Sequence, residues 1–469
     1  MRRPLCAFAA VVAVVLVGCR PQTSTTSPAP APKAPARNPM PAGALARAFV
    51  DQLAKGNYAA AVSAFDETWV RKMPVAKLKQ AWEAVVASAG AFQQQTGLQE
   101  AAEDPYNVVY VTCRFARTSL DVKLYYNTQQ RISRLEFALA GSGTPYTLPP
   151  YAKPDSFNET DVVVGQGEWA VPGTLTMPQG AGPFPAILLV HSTGPQDRDE
   201  TIGPSKPFRD LAWGLASRGI AVLRYAKHLK AYPKEMAAAV ARLTVKEETV
   251  GDAVSAAALL RKEEGVDARR VFVLGYSLGG TLIPRIARGT PGAAGYVILA
   301  GTNRPLEDVM VEQLEYIASL GGPGADDARQ RLPQVRAEAQ RVKDPKLSPE
   351  SPALLGAPAA YWLDLRAHDP LKAVAQVKAP ILVLQGGRDY QATTVDFERW
   401  QKALAGRSDV TCKLYPDLNH LFGEGKGKAV PVEYEQPQHV SAQVIADLAG
   451  WIARQPPRRG EGNPALRGR

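Results

Sequence analysis

The sequence contains few of the residues that bind metals or form disulfides. Its 469 residues include four cysteines and five histidines, and none of them form clusters with the spacing of metal ligands. We therefore predict neither a metal nor an organic cofactor. Cys113 and Cys412 belong to different predicted domains, so they are expected to remain two separate buried thiols.

The sequence also lacks long apolar runs after its first residues. No later stretch approaches the roughly 18 consecutive apolar residues of a transmembrane helix. The net charge is +10, yet Lys and Arg are spread along the chain without a basic stripe, which argues against nucleic-acid binding. With 45% hydrophobic and 21% charged residues, the composition is that of a globular protein, and the length indicates two or three domains.

The first residues have the features of a targeting segment. Arg2 and Arg3 precede an apolar stretch that is too short to span a bilayer, and it ends in Leu-Val-Gly-Cys at Cys19. This ending resembles the lipobox of bacterial lipoproteins, which implies a signal peptide over residues 1–18 and lipidation of Cys19. An ordinary secretory signal is the alternative. The position of the cysteine, where the apolar run stops, favours the lipobox.

Two segments are predicted to be disordered. Residues 19–41 are rich in Pro, Ala, Ser and Thr and are interpreted as a tether between membrane and folded protein. Residues 455–469, rich in Pro, Gly and Arg, are interpreted as a tail. The predicted location is the cell envelope, with the protein lipid-anchored to a membrane and facing the periplasm or the cell exterior.

Residues 42–140 are predicted to form a small α+β domain. Helical spacing over 44–54, 58–65 and 78–92 is followed by alternation of period two over 109–115, 120–126 and 132–137. The pattern resembles a family of unknown function with a nuclear-transport-factor-2-like build, found ahead of bacterial hydrolase domains. The matching positions are Phe49-Val50, Gly56-Asn57-Tyr58, Ala64-Phe65-Asp66, Trp82, Gly90-Ala91-Phe92 and Val111 to Phe115. This domain is a binding module or a structural companion, and its lack of histidine favours the companion.

Residues 158–454 are predicted to form the domain that carries the chemistry. Apolar runs of four or five residues alternate with helical segments, which indicates a mostly parallel sheet covered on both faces. The runs are 186–190, 220–223, 271–274, 296–299 and 381–384, with a last strand at 410–415. Active sites of such sheets lie at the carboxyl ends of the strands. Catalytic residues are therefore expected directly after a strand.

A candidate nucleophile meets this condition. Ser277 lies in Gly-Tyr-Ser-Leu-Gly, directly after one apolar run and directly before a helix. In a G-x-S-x-G turn the glycines leave room for a strained serine whose hydroxyl is exposed. The backbone N–H of Leu278, at the start of the helix, is a candidate oxyanion donor.

The hydrolase order Ser, Asp, His selects the other two members of a triad. His420 follows the last strand and is the candidate general base, whereas His191, upstream of the serine, is interpreted as bracing a loop. Asp389 directly follows the preceding strand and would orient His420. Asp396 and Asp369 are weaker candidates because they lie further from a strand end.

A second oxyanion donor is expected in the loop after an early strand, where the chain reads His-Ser-Thr-Gly-Pro from 191 to 195. The amides of Thr193 and Ser192 are the candidates. The segments 191–201, 208–212 and 218–225 and the Ser277 turn resemble bacterial α/β-hydrolase carboxylesterases, which are similar to the dienelactone-hydrolase and serine-aminopeptidase groups. This resemblance implies an α/β-hydrolase fold. Two short segments depart from the family pattern: Ser192 and Thr193 replace a Gly-Ser pair, and Ala226 and His228 replace an Asp and an Arg.

Residues 303–372 interrupt the strand pattern and are interpreted as a helical cap. Helices are predicted over 309–320, 325–342 and 358–365. The apolar residues of this insertion either line an acyl pocket or pack the cap onto the body. These residues include Leu314, Ile317, Tyr361 and Trp362.

Three functions are compatible with the sequence. The leading one is hydrolysis of small-molecule carboxylic esters through an acyl-enzyme on Ser277. The second is a peptidase or amidase with the same triad, for which Asp197, Arg198, Asp199 or Arg388 could anchor a peptide terminus. The third is a non-catalytic envelope binding protein, against which the complete triad argues.

Overall fold

The computed structural model describes residues 41–103, 106–141, 146–233, 235–236, 240–321 and 323–458. The predicted signal peptide, Cys19, nearly all of the tether and the end of the tail lie outside the described residues. The described chain forms two compact units that meet in the sequence between Pro145 and Tyr146. The second unit thus begins before the start at Asn158 expected from the sequence.

The first unit contains four helices followed by a four-stranded antiparallel sheet in chain order, β1-β2-β3-β4. The helices are Ala42–Ala54, Tyr58–Val62, Glu67–Lys72 and Val75–Ala89; the strands are β1 Phe92–Glu103, β2 Tyr106–Phe115, β3 Ser119–Tyr126 and β4 Ile132–Leu139. Trp82 is buried at the centre of its core and packs against the rings of Phe92, Phe115 and Phe137. The predicted build of helices followed by a meander is confirmed.

Several elements of this unit differ from the expectation. The helix predicted to run to Phe92 ends at Ala89, since Gly90 has a φ of 87° that favours glycine and stops the helix. Phe92 then begins β1, whose sequence is mostly polar because β1 is an edge strand paired only with β2. The short helix after Asp66 is capped by the carboxylate of that residue, which accepts from the N–H of Trp69 at 2.7 Å.

The second unit is built on an eight-stranded sheet with the order β12-β11-β10-β9-β7-β8-β6-β5. The strands are β5 Phe157–Val164, β6 Val171–Pro178, β7 Phe184–Val190, β8 Ala221–Tyr225, β9 Val266–Tyr276, β10 Gly295–Leu299, β11 Ile381–Gly386 and β12 Val410–Tyr415. The pairs from β8 to β12 are parallel, whereas β5 and β6 join antiparallel at one edge. The sheet is therefore mostly parallel, as predicted.

Both faces of the sheet are covered by apolar side chains. Within β10, Tyr296 and Ile298 belong to one core cluster, while Val297 and Leu299 belong to the other. This division explains the uninterrupted apolar runs, because a strand buried on both faces has no polar side to alternate with. The polar strand β5 has no such run, since most of its residues are exposed.

Helices supply the two covering layers. Outside the cap they are Pro207–Ala216, His228–Ala231, Gly251–Leu260, Leu278–Gly289, Pro370–Val374, Thr394–Ala403 and Ala442–Arg454, with a π-helical turn at Lys246–Val250. The cap contributes Leu306–Ser319, Pro323–Val342 and Ala359–Arg366 between β10 and β11. This architecture confirms the predicted α/β-hydrolase fold with a helical insertion. Among the described residues, no helix is both long and apolar enough to cross a membrane.

Candidate active site

The predicted site residues converge at one edge of the sheet. Ser277 follows β9, Asp389 follows β11 and His420 follows β12, while the loop from His191 to Thr193 follows β7. These strands are parallel, so their carboxyl ends lie on the same side. The register pairs Val190 with Gly275, which brings the β7 loop beside the serine.

Ser277 occupies a strained turn. Its φ is 53° and its ψ is −115°, a conformation that non-glycine residues rarely adopt. The turn is held on both sides, because the N–H of Ser277 donates to the carbonyl of Leu299 at 2.9 Å and its carbonyl accepts from the N–H of Thr281 at 3.0 Å. The hydroxyl is thereby presented at the start of the helix Leu278–Gly289.

The glycines of the motif allow this close packing. A Cβ at position 275 would lie 2.1 Å from the carbonyl oxygen of Gly279, and one at position 279 would lie 2.5 Å from that of Val190. Both distances are far below any real Cβ contact. The N–H of Gly279 also donates to the carbonyl of His191 at 3.1 Å. The glycines therefore place the β7 loop directly against the turn.

The three triad candidates form a continuous hydrogen-bonded series. The Oγ of Ser277 lies 3.2 Å from Nε2 of His420, and Nδ1 of His420 lies 2.7 Å from Oδ2 of Asp389. Each distance is within the reach required between a nucleophile, a base and the residue that orients the base. The arrangement can move a proton from the Ser277 hydroxyl to His420.

Asp389 is buried, and hydrogen bonds saturate its carboxylate. One oxygen accepts from the N–H groups of Gln391 and Ala392 at 2.7 and 3.0 Å, and the other accepts from the side-chain amide of Gln385 at 3.1 Å. The side chain itself has 0% exposure. A buried carboxylate needs such partners. Gln385 is a residue that sequence reasoning missed, since it lies inside strand β11 and carries no motif.

The loop that bears His420 is braced by its neighbour Asn419. The side-chain oxygen of Asn419 accepts from the N–H groups of Leu421 and Gly423 at 3.0 and 3.1 Å. The hydroxyl of Tyr276 donates to the carbonyl of His420 at 3.2 Å. These bonds fix the backbone on both sides of the imidazole, which limits the orientations that His420 can adopt.

The two weaker acid candidates have structural roles elsewhere. Asp396 is buried in an ion pair with Arg304 at 2.8 Å and closes a capping box on the helix Thr394–Ala403. Asp369 caps the helix Pro370–Val374. Neither contacts His420, so the structure brings Asp389 alone among the three to the histidine.

The predicted oxyanion donors differ in their availability. The N–H of Leu278 is the first of its helix and has no partner within the helix. The N–H of Ser192 already points to the carboxyl of Glu200 at 3.4 Å, and the Ser192 hydroxyl donates to the same carboxyl. No hydrogen bond among the described residues uses the N–H of Thr193. The geometry favours Thr193 and Leu278 over Ser192.

Charged residues that sequence reasoning did not assign surround this loop. Glu200 has 0% exposure, and burial raises the pKa of its carboxyl to about 8. Lys227 is also buried, and its Nζ donates to the carbonyl of Ser192 at 2.9 Å and to Glu248 at 2.8 Å. His228, where similar esterases have an arginine, lies 2.7 Å from Asp252. His228 therefore has a hydrogen-bonded acidic partner at this departure from the family pattern.

His191 has the bracing position expected from the sequence. Its ring is buried against Phe208 and Tyr225, and Nε2 lies 3.0 Å from the carbonyl oxygen of Asp197. Burial, together with the charge of Lys227, lowers the pKa of His191 to about 3. The imidazole is therefore neutral and donates to the carbonyl.

The apolar residues of the cap pack mostly within the cap. Leu314 and Trp362 are buried in an apolar cluster of cap residues, and Ile317 packs against it. Tyr361 instead belongs to a core cluster of the sheet. These positions support packing, not the lining of an acyl pocket.

Comparison with known families identifies the class of protein that this fold and site define. Residues 187–430 match the alpha/beta hydrolase family, and this region is more than half of the chain. The chain therefore belongs to the alpha/beta hydrolase family. Residues 46–135 match a family described as protein of unknown function, DUF3887. Both resemblances predicted from the sequence are confirmed.

One relative in sequence agrees with the predicted enzyme class, a carboxylic ester hydrolase. The chain is 37% identical over 406 residues to Esterase EstD of Thermotoga maritima, which covers 87% of this chain and 94% of that protein. An esterase of Pyrococcus furiosus matches with 15% identity and a TM-score of 0.41, over 66% of this chain and 97% of that chain. An acylaminoacyl peptidase of Pyrococcus horikoshii matches with 14% identity and a TM-score of 0.44, over 79% and 51%.

Replacing Gly275 with alanine is expected to displace the turn. The added methyl group would overlap the backbone of Gly279, 2.1 Å away, and we expect the free energy of unfolding to fall by about 1–3 kcal/mol. Labelling of Ser277 by a fluorophosphonate should slow at least tenfold. Gly324→Ala is the matched control, since nothing lies within 4 Å of its added Cβ. Equal labelling rates for Gly275→Ala and the control would contradict the steric argument.

The pKa values of two histidines are expected to be shifted in opposite directions, that of His191 down and that of His228 up. The His191 pKa of about 3 means that the unfolded chain binds a proton near pH 6.5 but the folded chain does not, so this contribution to stability is lost as pH falls from 6.5 towards 3. A hydrogen bond to Asp252 raises the pKa of His228, so its contribution is present below pH 6.5 and is lost as pH rises through that raised pKa. Histidine NMR titrations, assigned with His191→Gln and His228→Gln, measure both. Protonation of His191 above pH 5 would contradict the prediction.

Proposed function

We propose that this alpha/beta hydrolase cleaves carboxylic esters through a covalent acyl-enzyme on Ser277. The observation that carries the proposal is the series from the Ser277 hydroxyl to His420 and Asp389, with separations of 3.2 and 2.7 Å. A serine hydroxyl is a poor nucleophile without such a base. The identity to an esterase over most of the chain supports an ester as the substrate.

In the acylation step Ser277 Oγ attacks the ester carbonyl while Nε2 of His420 takes the hydroxyl proton. The carbonyl oxygen becomes an oxyanion, which the N–H groups of Leu278 and Thr193 would stabilise. The tetrahedral intermediate collapses, the bond to the alkoxy oxygen breaks, and His420 returns the proton to the leaving alcohol. Asp389 stabilises the imidazolium that forms in between.

Deacylation repeats these steps with water. His420 removes a proton from water, the resulting hydroxide attacks the acyl carbonyl, and the same N–H groups bind the new oxyanion. The bond to Ser277 Oγ then breaks as His420 returns the proton to the serine. The products are a carboxylic acid and regenerated enzyme, so the cycle consumes one ester and one water.

The peptidase alternative would need a charged anchor for a peptide terminus. Arg198 pairs with Asp161, and Arg388 pairs with Glu433. Asp199 pairs with Arg224, and Asp197 accepts from the N–H groups of Asp199 and Thr201. The four candidate anchors therefore have partners within the second unit. This arrangement favours esters over peptides.

We expect Ser277→Ala to abolish both fluorophosphonate labelling and hydrolysis of short acyl esters, with turnover falling at least a thousandfold because the nucleophile is lost. Ser88→Ala, in the first unit, is the matched control and should leave turnover unchanged. Turnover of short acyl nitrophenyl esters and of aminoacyl anilides is measured side by side. Wild-type ester turnover in Ser277→Ala would refute the triad assignment, and an anilide preference of the wild type would favour the peptidase.

We propose further that the protein is a lipoprotein of the cell envelope. The proposal rests on the sequence, in which Cys19 directly follows a short apolar run and precedes a Pro-rich segment. Burial of acyl chains contributes about 0.8 kcal/mol per CH₂, so a multiply acylated cysteine holds a protein stably on a membrane. A coil of about 22 residues reaches roughly 25 Å, and it would keep the active site near esters at a membrane surface.

Replacement of Cys19 with alanine should release the protein from membranes, because the thiol is the atom that takes the lipid. The measurement is fractionation of cells and partition into detergent for the wild type and for Cys19→Ala. Cys113→Ala is the matched control and should partition as the wild type does. Equal membrane association of wild type and Cys19→Ala would show that Cys19 is not the anchor.

A further inference from the structure

A buried ion pair lies behind the β7 loop, which carries the proposed oxyanion donor Thr193, and is not used by the triad. Lys227 has 1% exposure and Glu248 has 3% exposure, and they are 2.8 Å apart. Lysine and glutamate are almost never fully buried unless paired, and the desolvation cost of such a pair can exceed its attraction. Since the attraction alone need not offset the cost of burial, a role in the adjacent active site would account for the pair.

The Lys227 ammonium has a second partner, the carbonyl oxygen of Ser192 at 2.9 Å. A trans peptide is planar, and its carbonyl and N–H point in opposite directions. The carbonyl of Ser192 and the N–H of Thr193 belong to one peptide. Because Lys227 holds the carbonyl on the buried side, the N–H of Thr193 must face the opposite side.

The remaining polar groups of Ser192 are also bound. Its hydroxyl donates to Glu200, and its N–H points to the same carboxyl at 3.4 Å. The preceding carbonyl, of His191, accepts from the N–H of Gly279 beside Ser277. These hydrogen bonds fix the orientation of the Ser192 peptide groups and hold the β7 loop against the turn that bears Ser277. The exposed residue in this stretch is Thr193.

The pair also connects to the cap. The second carboxyl oxygen of Glu248 accepts from the hydroxyl of Tyr361 at 3.1 Å. Tyr361 belongs to the cap helix Ala359–Arg366, whereas Glu248 lies in the π-helical turn Lys246–Val250. Single π-turns within helices frequently occur at functional sites. A series of hydrogen bonds thus runs from the cap through Glu248 and Lys227 to the peptide that bears the Thr193 N–H.

We propose that Lys227 is a positioning residue that orients and polarises the Ser192–Thr193 peptide as an oxyanion donor, and that Glu248 and Tyr361 hold Lys227 in place from the cap side. A cationic donor on the carbonyl strengthens the N–H of the same peptide, since linked hydrogen bonds polarise one another. The effect falls on the transition state, where the oxyanion exists. The inference rests on the acyl-enzyme mechanism proposed above.

The central variant is the pair Lys227→Met with Glu248→Gln, because Lys227→Met alone leaves a buried carboxylate without its partner. In this double variant the carbonyl of Ser192 loses its donor, while the glutamine at position 248 can still accept from Tyr361. We expect kcat for a short acyl ester to fall about tenfold, less than the 10²–10³ seen when a donor is removed outright. KM should stay within about threefold, since the ground-state ester carries no oxyanion.

A transition-state mimic separates positioning from simple stability. An alkyl trifluoromethyl ketone forms a tetrahedral adduct with Ser277 that carries an oxyanion, whereas the matching methyl ketone binds as an unreacted carbonyl. In the double variant, affinity for the trifluoromethyl ketone should fall by the same factor as kcat, and affinity for the methyl ketone should change little. Tyr361→Phe loses only a hydroxyl, and it should show the same pattern at about two- to fivefold.

The matched control is Arg285→Met with Asp364→Asn. This pair also links the cap helix Ala359–Arg366 to the body, at 2.8 Å. The second oxygen of Asp364 accepts from the N–H of Lys246 at 3.0 Å, a bond that the asparagine oxygen can keep, and neither side chain contacts the carbonyl of Ser192. It should lower the melting temperature without changing the ratio of the two ketone affinities.

Three results would overturn the positioning role. The first is that the ratio of the two ketone affinities stays unchanged in both the double variant and Tyr361→Phe. The second is that this ratio changes equally in the control, and the third is that the double variant alters KM but not kcat. Ester turnover that survives in Ser277→Ala would instead refute the proposed function. The two failures are thus distinguishable.

Discussion

The strained backbone of Ser277 is the constraint on which the site depends. A residue at φ 53° and ψ −115° costs on the order of 1–3 kcal/mol, and it persists only where its surroundings hold it. Here the surroundings are hydrogen bonds to Leu299 and Thr281 and the absence of Cβ atoms at positions 275 and 279. That same absence lets the β7 loop approach the turn. One packing requirement therefore presents the nucleophile and also sets the β7 loop beside it.

Two buried carboxyls near this turn show how their surroundings divide their roles. Asp389 accepts four hydrogen bonds, including that of His420, so its charge is compensated before the imidazolium forms. The partners of Glu200 on the β7 loop include one hydroxyl and one distant N–H, both from Ser192, and burial raises its pKa to about 8. The carboxyl beside the base is prepared to stabilise positive charge, whereas the carboxyl behind the loop serves to hold the loop.

The sequence predicts the parts of this structure that leave a local pattern. Most of the parallel strands were predictable because strands buried on both faces are continuously apolar. Ser277 and Asp389 were predictable because each follows such a strand. His420 was predictable from the order Ser, Asp, His, because it comes after the last strand, β12, which is a partly exposed edge strand. Strand β1 was not predicted because its sequence is mostly polar, and β5 was not predicted because most of its residues are exposed. The contacts of Lys227 were also hidden, because its partners Ser192 and Glu248 come from separate elements. Lysine and glutamate in a sequence normally indicate a solvated surface.

The cap is inserted where the sheet can accept it without distortion. β10 and β11 are parallel neighbours, and their pairing from Tyr296 with Ile381 to Leu299 with Leu384 fixes the two ends of the insertion. Loop-closure entropy grows slowly with length, so a long insertion between fixed ends has a small cost. The cap also has its own apolar cluster, and polar bonds such as that of Tyr361 with Glu248 tie it to the body. The cap also contacts the loop of Asp389, where Gln313 donates to the carbonyl of Gln391 at 3.0 Å and Tyr316 stacks on Tyr390. The strand register therefore sets the catalytic distances, while the cap supports the loops that carry the catalytic groups.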